Sequence, residues 1–179
     1  QSIYRFAGGD IHLILDFADI WRDWGPTRMF QITTTRRFRQ SLIDASGAFV
    51  MQDKSLYVKH LHNPSDKKDY SLKALGGATQ EERFDAIIEQ LRKLPKAASV
   101  LMLGRYRSDL NLLSRNDRDG LFQIDEHTGG IVFPEKPDMD IKFMTAHASK
   151  GLQRDFGFLL CCSGGLKGFP SAIPEEPLL

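Results

Sequence analysis

Three segments of the sequence combine basic side chains with hydroxyl groups or glycine, and each directly follows a predicted strand. They are Arg36-Arg37-Phe38-Arg39, Gly104-Arg105-Tyr106-Arg107-Ser108 and Thr145-Ala146-His147-Ala148-Ser149-Lys150-Gly151. Guanidinium groups, hydroxyls and a Lys-Gly turn are groups that hold phosphate oxygens. Ligands of an open parallel sheet bind outside the carboxyl ends of its strands, so the three segments together predict a site for a nucleotide or a nucleic acid. For any one segment alone, a solvated surface is the alternative.

Neither a phosphate loop nor a metal site is predicted. Ser149-Lys150-Gly151 reverses the order of a phosphate loop and lacks its upstream glycine. The chain alone is therefore expected to lack the loop that grips a nucleoside triphosphate and its Mg²⁺. His12, His60, His62 and His127 have no ligand-like spacing apart from the weak pair His60-x-His62.

Composition indicates a globular protein of about one domain. The chain has 179 residues, of which 41% are hydrophobic and 26% charged. Its formal net charge is only +1, so any contact with nucleic acid must come from local clusters of basic residues. Cys161 and Cys162 are adjacent and cannot link distant segments, which favours a reducing, cytoplasmic setting. No apolar run approaches the length of about 18 residues that a membrane span needs.

The periodicity of apolar residues predicts helices that alternate with strands. A helix is expected from an N-cap at Asp10 to about residue 21, and another from a capping box at Thr79 and Glu82 to residue 94. The remaining predicted helices cover residues 40–51 and the region of Leu110, Leu112 and Leu113. Strands are expected at residues 29–34, 100–103, 141–145 and 156–162, with a hairpin of residues 121–124 and 131–133. Residues 53–77 are predicted to be a loop with a small hairpin. This order favours an α/β fold with a mostly parallel sheet.

Several of these segments resemble the motifs of UvrD/Rep-type superfamily 1 DNA helicases. Motif III is similar to Gln1-Ser2-Ile3-Tyr4-Arg5-Phe6-Ala7-Gly8, and motif IV is similar to Thr35-Arg36-Arg37-Phe38. Motif IVa is similar to Leu103-Gly104-Arg105-Tyr106-Arg107, and motif V closely resembles residues 144–152. The short element that follows motif V in the family is similar to Gly168-Phe169-Pro170-Ser171. The large insertion that many relatives carry between motifs IVa and V is absent. In this respect the chain is similar to the bacterial helicase IV branch of the family.

The resemblance implies a RecA-like, P-loop NTPase-like three-layer α/β domain with a mostly parallel sheet and no phosphate loop of its own. Residues 1–179 would be the second, C-terminal RecA-like domain, a fragment of a longer protein. The full-length protein would be an ATP-dependent 3' to 5' helicase or translocase that uses ATP and Mg²⁺, whereas the fragment would be inactive and hold neither. Its partners would be single-stranded DNA and the N-terminal RecA-like domain of the same protein, in the cytoplasm at the nucleoid and not at a membrane. A helicase-nuclease subunit and a non-catalytic single-stranded DNA-binding module stay open as alternatives.

The resemblance also assigns roles to residues. Gln1 and Arg37 would be catalytic, because both would reach the γ-phosphate of ATP. Arg36, Gly151 and Gln153 would bind the nucleotide with them. Arg36 stands in place of the usual tyrosine, so its stacking on adenine would be weaker or would take a cation–π form. The residues implied to bind DNA are Tyr4, Phe6, Arg105, Arg107, Thr145, His147 and Lys150.

Overall fold

The computed structural model describes residues 10, 12–52, 54, 59–65 and 72–165. The chain divides into two compact units, Gln1–Ala74 and Leu75–Leu179. Gln1, Tyr4 and Phe6 lie outside the described residues, as do residues 168–171 and most of the small hairpin predicted within residues 53–77.

The first unit contains short helices and one longer helix. Helices α1 (His12–Leu15) and α2 (Phe17–Ile20) and a 3-10 turn at Arg22–Trp24 occupy the region predicted as a single amphipathic helix. The Asp10 carboxylate accepts the His12 N–H at 2.9 Å, so it caps the first turn as its position predicted. Helix α3 (Gln40–Val50) confirms the prediction for residues 40–51.

The prediction of a strand at residues 29–34 is wrong. Only Thr34 takes part in a β-bridge, an isolated parallel pairing with His62. Met29, Phe30 and Ile32 are 64%, 85% and 76% exposed. A sequence of β-branched and aromatic residues becomes a strand only when a neighbouring strand pairs with it, and the described part of this unit contains none. Arg36 and Arg37 therefore lie in a bend before α3 and not at a strand end.

The second unit is a five-stranded sheet with helices. Its elements are α4 (Gln80–Lys93), β1 (Ser99–Gly104), a 3-10 turn (Arg107–Leu110), α5 (Asn111–Ser114), β2 (Gln123–Ile124), β3 (Gly130–Val132), β4 (Asp140–Thr145) and β5 (Phe156–Leu159). The strand order is β2-β3-β4-β1-β5. β1 is parallel to both β4 and β5, while β2–β3 and β3–β4 are antiparallel pairs. The centre of the sheet is thus parallel, as predicted, and the antiparallel edge is the predicted hairpin. This arrangement is compatible with a RecA-like fold.

Helix α4 covers the sheet and is fixed at both ends. At its start, Thr79 Oγ1 accepts the Glu82 N–H at 3.1 Å, and the Glu82 carboxylate accepts the Ala78 N–H at 2.6 Å. The predicted cap is therefore confirmed. At its end, Lys136 Nζ donates to the carbonyl of Leu91 at 2.9 Å, which places a cation at the negative end of the helix.

The core lies between α4, α5 and one face of the sheet. Alternate residues of β1 and β4 face it, because parallel neighbours in register point to the same side. They join the buried side chains of the helices in one cluster that includes Phe84, Ile88, Leu91, Val100, Met102, Leu113, Ile141 and Phe143. The described helices of this unit all contribute to that cluster, so they pack with the sheet in a single core.

Two glycines test how tightly the hairpin packs against the sheet. Gly129 and Gly120 both have positive φ, +76° and +66°. A Cβ at Gly129 would lie 2.3 Å from the Phe143 carbonyl oxygen, whereas a Cβ at Gly120 would meet nothing within 4 Å. We expect Gly120→Ala to lower the free energy of unfolding by about 1–2 kcal/mol, the cost of the backbone conformation alone. Gly129→Ala should lower the free energy of unfolding by clearly more, as measured in the same urea titration. Equal costs would show that the hairpin does not approach β4 this closely.

Candidate functional site

Two of the three predicted phosphate-binding segments meet where the carboxyl ends of β1 and β4 lie side by side. β1 and β4 run in parallel with Gly104 opposite Thr145, so the chain leaves both strands at the same level. The Ala146 N–H donates to the Gly104 carbonyl at 2.9 Å, which extends the contact beyond the strands. Arg105, Arg107, Thr145, His147 and Lys150 thus follow the paired ends of two strands, as predicted. We call residues 104–107 and 145–151 the strand-end surface.

Asp109 shapes the first half of this surface. Its Oδ2 accepts the N–H groups of Arg105 and Tyr106 at 2.7 and 3.0 Å, so the chain turns sharply after β1. Gly104 is required beside it, because a Cβ there would lie 2.7 Å from Asp109 Cβ. Asp109 was not among the predicted site residues. An acidic residue that ends a short capping motif after a buried strand is the signal that could have identified it.

Arg105 and Arg107 have different surroundings. Arg105 is half-buried, and its Cζ lies 5.4 Å from the centroid of the Tyr106 ring, in cation–π range. Its Nε also donates to the Tyr106 hydroxyl at 3.2 Å. Arg107 is exposed, and its Nη2 donates to the carbonyls of Glu126 and His127 at 2.6 and 2.8 Å. Arg107 therefore connects the strand-end surface to the turn of the β2–β3 hairpin.

A carboxylate holds that hairpin turn. Asp125 Oδ1 accepts the His127 N–H at 2.9 Å and the Thr128 N–H at 3.2 Å, and Oδ2 accepts the Thr128 hydroxyl at 2.6 Å. These bonds, led by the one from the Thr128 hydroxyl, hold the pKa of Asp125 below its usual value. The Phe143 N–H donates to the Gly129 carbonyl at 2.7 Å, which fixes the turn against β4. We call residues 125–130 the hairpin turn.

The segment after β4 forms a single tight turn. The Ser149 N–H donates to the Thr145 carbonyl at 3.0 Å, and the Ser149 hydroxyl donates to the Ala146 carbonyl at 2.9 Å. Gly151 follows with φ of +86°. His147, Lys150, Gly151 and Gln153 are exposed, whereas Thr145 is half-buried at the base of the turn. The turn therefore presents an imidazole and an ammonium group to solvent.

A pocket of about 190 Å³ lies between the hairpin turn and the end of β4. Of the predicted residues, Arg107 and Thr145 line it; Glu126, His127 and Lys142, which were not predicted, line it as well. Lys142 is a basic residue in the middle of a strand whose neighbours Ile141 and Phe143 are buried. That alternation is a signal in the sequence that Lys142 faces away from the core.

The predicted nucleotide-binding residues are distributed over both units, with Gly151 and Gln153 in the second. Arg36 and Arg37 lie in the first unit, where both are exposed and the Arg37 N–H donates to Thr35 Oγ1 at 3.3 Å. Gln1 is outside the described residues. Within the described ranges, no group of three or more His, Cys, Asp or Glu side chains could hold a metal ion. Over the same ranges, every helix is too short or too polar to cross a membrane.

Comparison with curated proteins finds a similar protein, DNA helicase IV of Escherichia coli (strain K12). The two sequences are 29% identical over 191 aligned residues, and the alignment covers all of this chain and 24% of the helicase. The chain thus spans about a quarter of the length of this relative. No family model matches the sequence, and no solved structure matches it. The similarity supports a relationship to the DNA helicases and agrees with the resemblance to the helicase IV branch.

The Asp125 carboxylate should make the stability of the hairpin turn depend on pH. Its pKa is lowered by folding, so its stabilising effect is complete above the ordinary Asp value of about 4 and is lost as the pH falls through the lowered value. We expect Asp125→Ala to lower the urea midpoint at pH 7, and the difference from the parent chain to shrink towards pH 3. Asp125→Asn is the control, because its amide oxygen can accept the same backbone N–H groups at every pH. A difference that stays constant between pH 7 and pH 3 would contradict this role.

Proposed function

We propose that this chain is the C-terminal RecA-like domain of an ATP-dependent DNA helicase that moves 3' to 5' along single-stranded DNA. The observation that carries the proposal is the pairing of β1 with β4, which brings two basic segments to one sheet edge. Similarity to a DNA helicase along the whole chain supports it. Such a protein would act in the cytoplasm, at the nucleoid.

In this proposal the strand-end surface holds the DNA backbone. His147 and Lys150 are exposed on the turn after β4, and Arg105 and Arg107 leave β1 beside them. Side chains of these types bind phosphate oxygens through charge-assisted hydrogen bonds. Thr145 would add a hydroxyl at the base of the surface. Tyr4 and Phe6 would stack on bases of the strand, a contact worth about 1–3 kcal/mol for each base.

ATP would bind where this domain meets the N-terminal RecA-like domain, which would supply the phosphate loop and the groups that hold Mg²⁺. From this chain, Gln1 and Arg37 would contact the γ-phosphate, and the Arg37 guanidinium would stabilise the charge that develops during transfer of the phosphoryl group. Arg36, Gly151 and Gln153 would hold the adenine and ribose side of the nucleotide. The exposed position of Arg36 and Arg37 leaves their side chains accessible to a ligand or another domain.

In this proposal, translocation depends on two separate tasks of the domain, contact with the γ-phosphate and binding of the DNA. Arg37 would detect whether the γ-phosphate is present, while the strand-end surface holds the DNA. Hydrolysis would change how this domain is held against the N-terminal RecA-like domain. Because the DNA is bound to this domain, that change would move the strand.

Replacing Arg37 tests the proposal in a chain that also contains the phosphate-loop domain. We expect Arg37→Ala to lower the kcat of DNA-stimulated ATP hydrolysis by a factor of about 10³ or more, the usual value of an arginine that contacts the transferred phosphoryl group. Arg28→Ala is the matched control, because Arg28 is an exposed arginine of the same unit. The 179-residue chain alone should show no ATP hydrolysis.

Three results would count against the proposal. Hydrolysis that is unaffected by Arg37→Ala would remove Arg37 from the site. Turnover by the 179-residue chain alone would show that no second domain is needed. Binding of single-stranded DNA by the longer chain without any ATP hydrolysis would favour the non-catalytic binding module.

A further inference from the structure

We propose that the hairpin turn is a second wall of the DNA-binding site, and that the pocket between this turn and β4 receives a phosphodiester group of the strand. This inference rests on the proposed function, since it extends the same strand-end surface. It adds Glu126, His127 and Lys142 to the residues that determine how strongly the strand is held. Sequence motifs did not identify these three residues.

The hairpin turn is positioned firmly enough to serve as a wall. Asp125 accepts three hydrogen bonds within the turn, and Gly129 is held against Phe143 of β4. Arg107 joins the turn to the strand-end surface through two carbonyls. Both bonds use a single nitrogen of a group that has five N–H donors, so the guanidinium of Arg107, which lines the pocket, keeps further donors for a phosphate group.

The pocket has the charge and the size that suit a phosphate group. Arg107 and Lys142 contribute two positive charges and Glu126 one negative charge, while Thr145 contributes a hydroxyl and His127 an imidazole. Its volume of about 190 Å³ is smaller than the range of roughly 300–1,000 Å³ typical of sites for complete drug-sized ligands. It therefore has room for a phosphodiester group.

Continuity with the strand-end surface identifies the source of the phosphate. Thr145 belongs to both the pocket and the turn that presents His147 and Lys150. A strand that follows this surface would pass the mouth of the pocket. We therefore assign the phosphate to the backbone of single-stranded DNA, and treat the phosphates of a free nucleotide as the competing source.

Two changes of opposite sign test the proposal without disturbing the turn. Glu126 and His127 contact Arg107 only through their backbone carbonyls in the hydrogen bonds described, so their exposed side chains can be replaced. We expect Glu126→Gln to tighten and His127→Glu to weaken the binding of a fluorescent oligo-dT by the 179-residue chain, each by about threefold at low salt. Asp138→Asn and Ala97→Glu are the matched controls, because both residues are exposed and precede β4 and β1, at the opposite edge of the sheet. The controls should leave the affinity unchanged.

The remaining outcomes separate this inference from the proposed function. Equal effects of the hairpin variants and their controls would overturn the inference, because only the overall charge would then matter. The inference also fails if Lys150→Ala weakens binding and both hairpin variants leave it unchanged, although the proposed function would survive that result. Failure of the parent chain to bind oligo-dT would overturn both. The hairpin variants could instead change the binding of a fluorescent ATP analogue and leave the binding of oligo-dT unchanged. That result would assign the pocket to a nucleotide.

Discussion

Parallel pairing of β1 with β4 is the constraint on which the candidate site depends. The register of this pair places Gly104 opposite Thr145, so two segments whose first residues are 41 positions apart in the sequence begin side by side. The pair is held by backbone hydrogen bonds and by a buried apolar face that includes Val100, Met102 and Phe143. A shift of register by one residue would turn these side chains out of the core. The stability of the core thus determines where the basic groups of the strand-end surface lie.

Carboxylates and glycines then convert these strand ends into fixed turns. Asp109 holds the backbone after β1, and Asp125 holds the hairpin turn, in each case by accepting backbone N–H groups. Gly104 and Gly129 allow an approach that a Cβ would prevent. Arg107 connects the two turns. A binding surface made of loops needs such support, since groups that are held in place lose less entropy when a ligand binds.

Local patterns predicted the parts of this fold that depend on local interactions. The cap at Thr79, the buried strand β1 and the β2–β3 hairpin were predicted from neighbouring residues and are confirmed. The strand at residues 29–34 was wrong because a strand depends on a partner elsewhere in the chain. The bonds from Arg107 to two carbonyls about 20 residues away were equally beyond a local pattern. The nucleotide-binding roles, including that of Gln1, stay predictions.

Amide hydrogen exchange of the 179-residue chain, measured with and without saturating oligo-dT, tests the central claim most directly. DNA that lies across the paired strand ends should slow exchange in residues 104–107, 126–130 and 145–151. Residues 96–98 and 136–139 precede β1 and β4 at the opposite edge of the sheet and should exchange at the same rate in both samples. Slower exchange at that opposite edge, with none at the strand ends and the hairpin turn, would contradict the account.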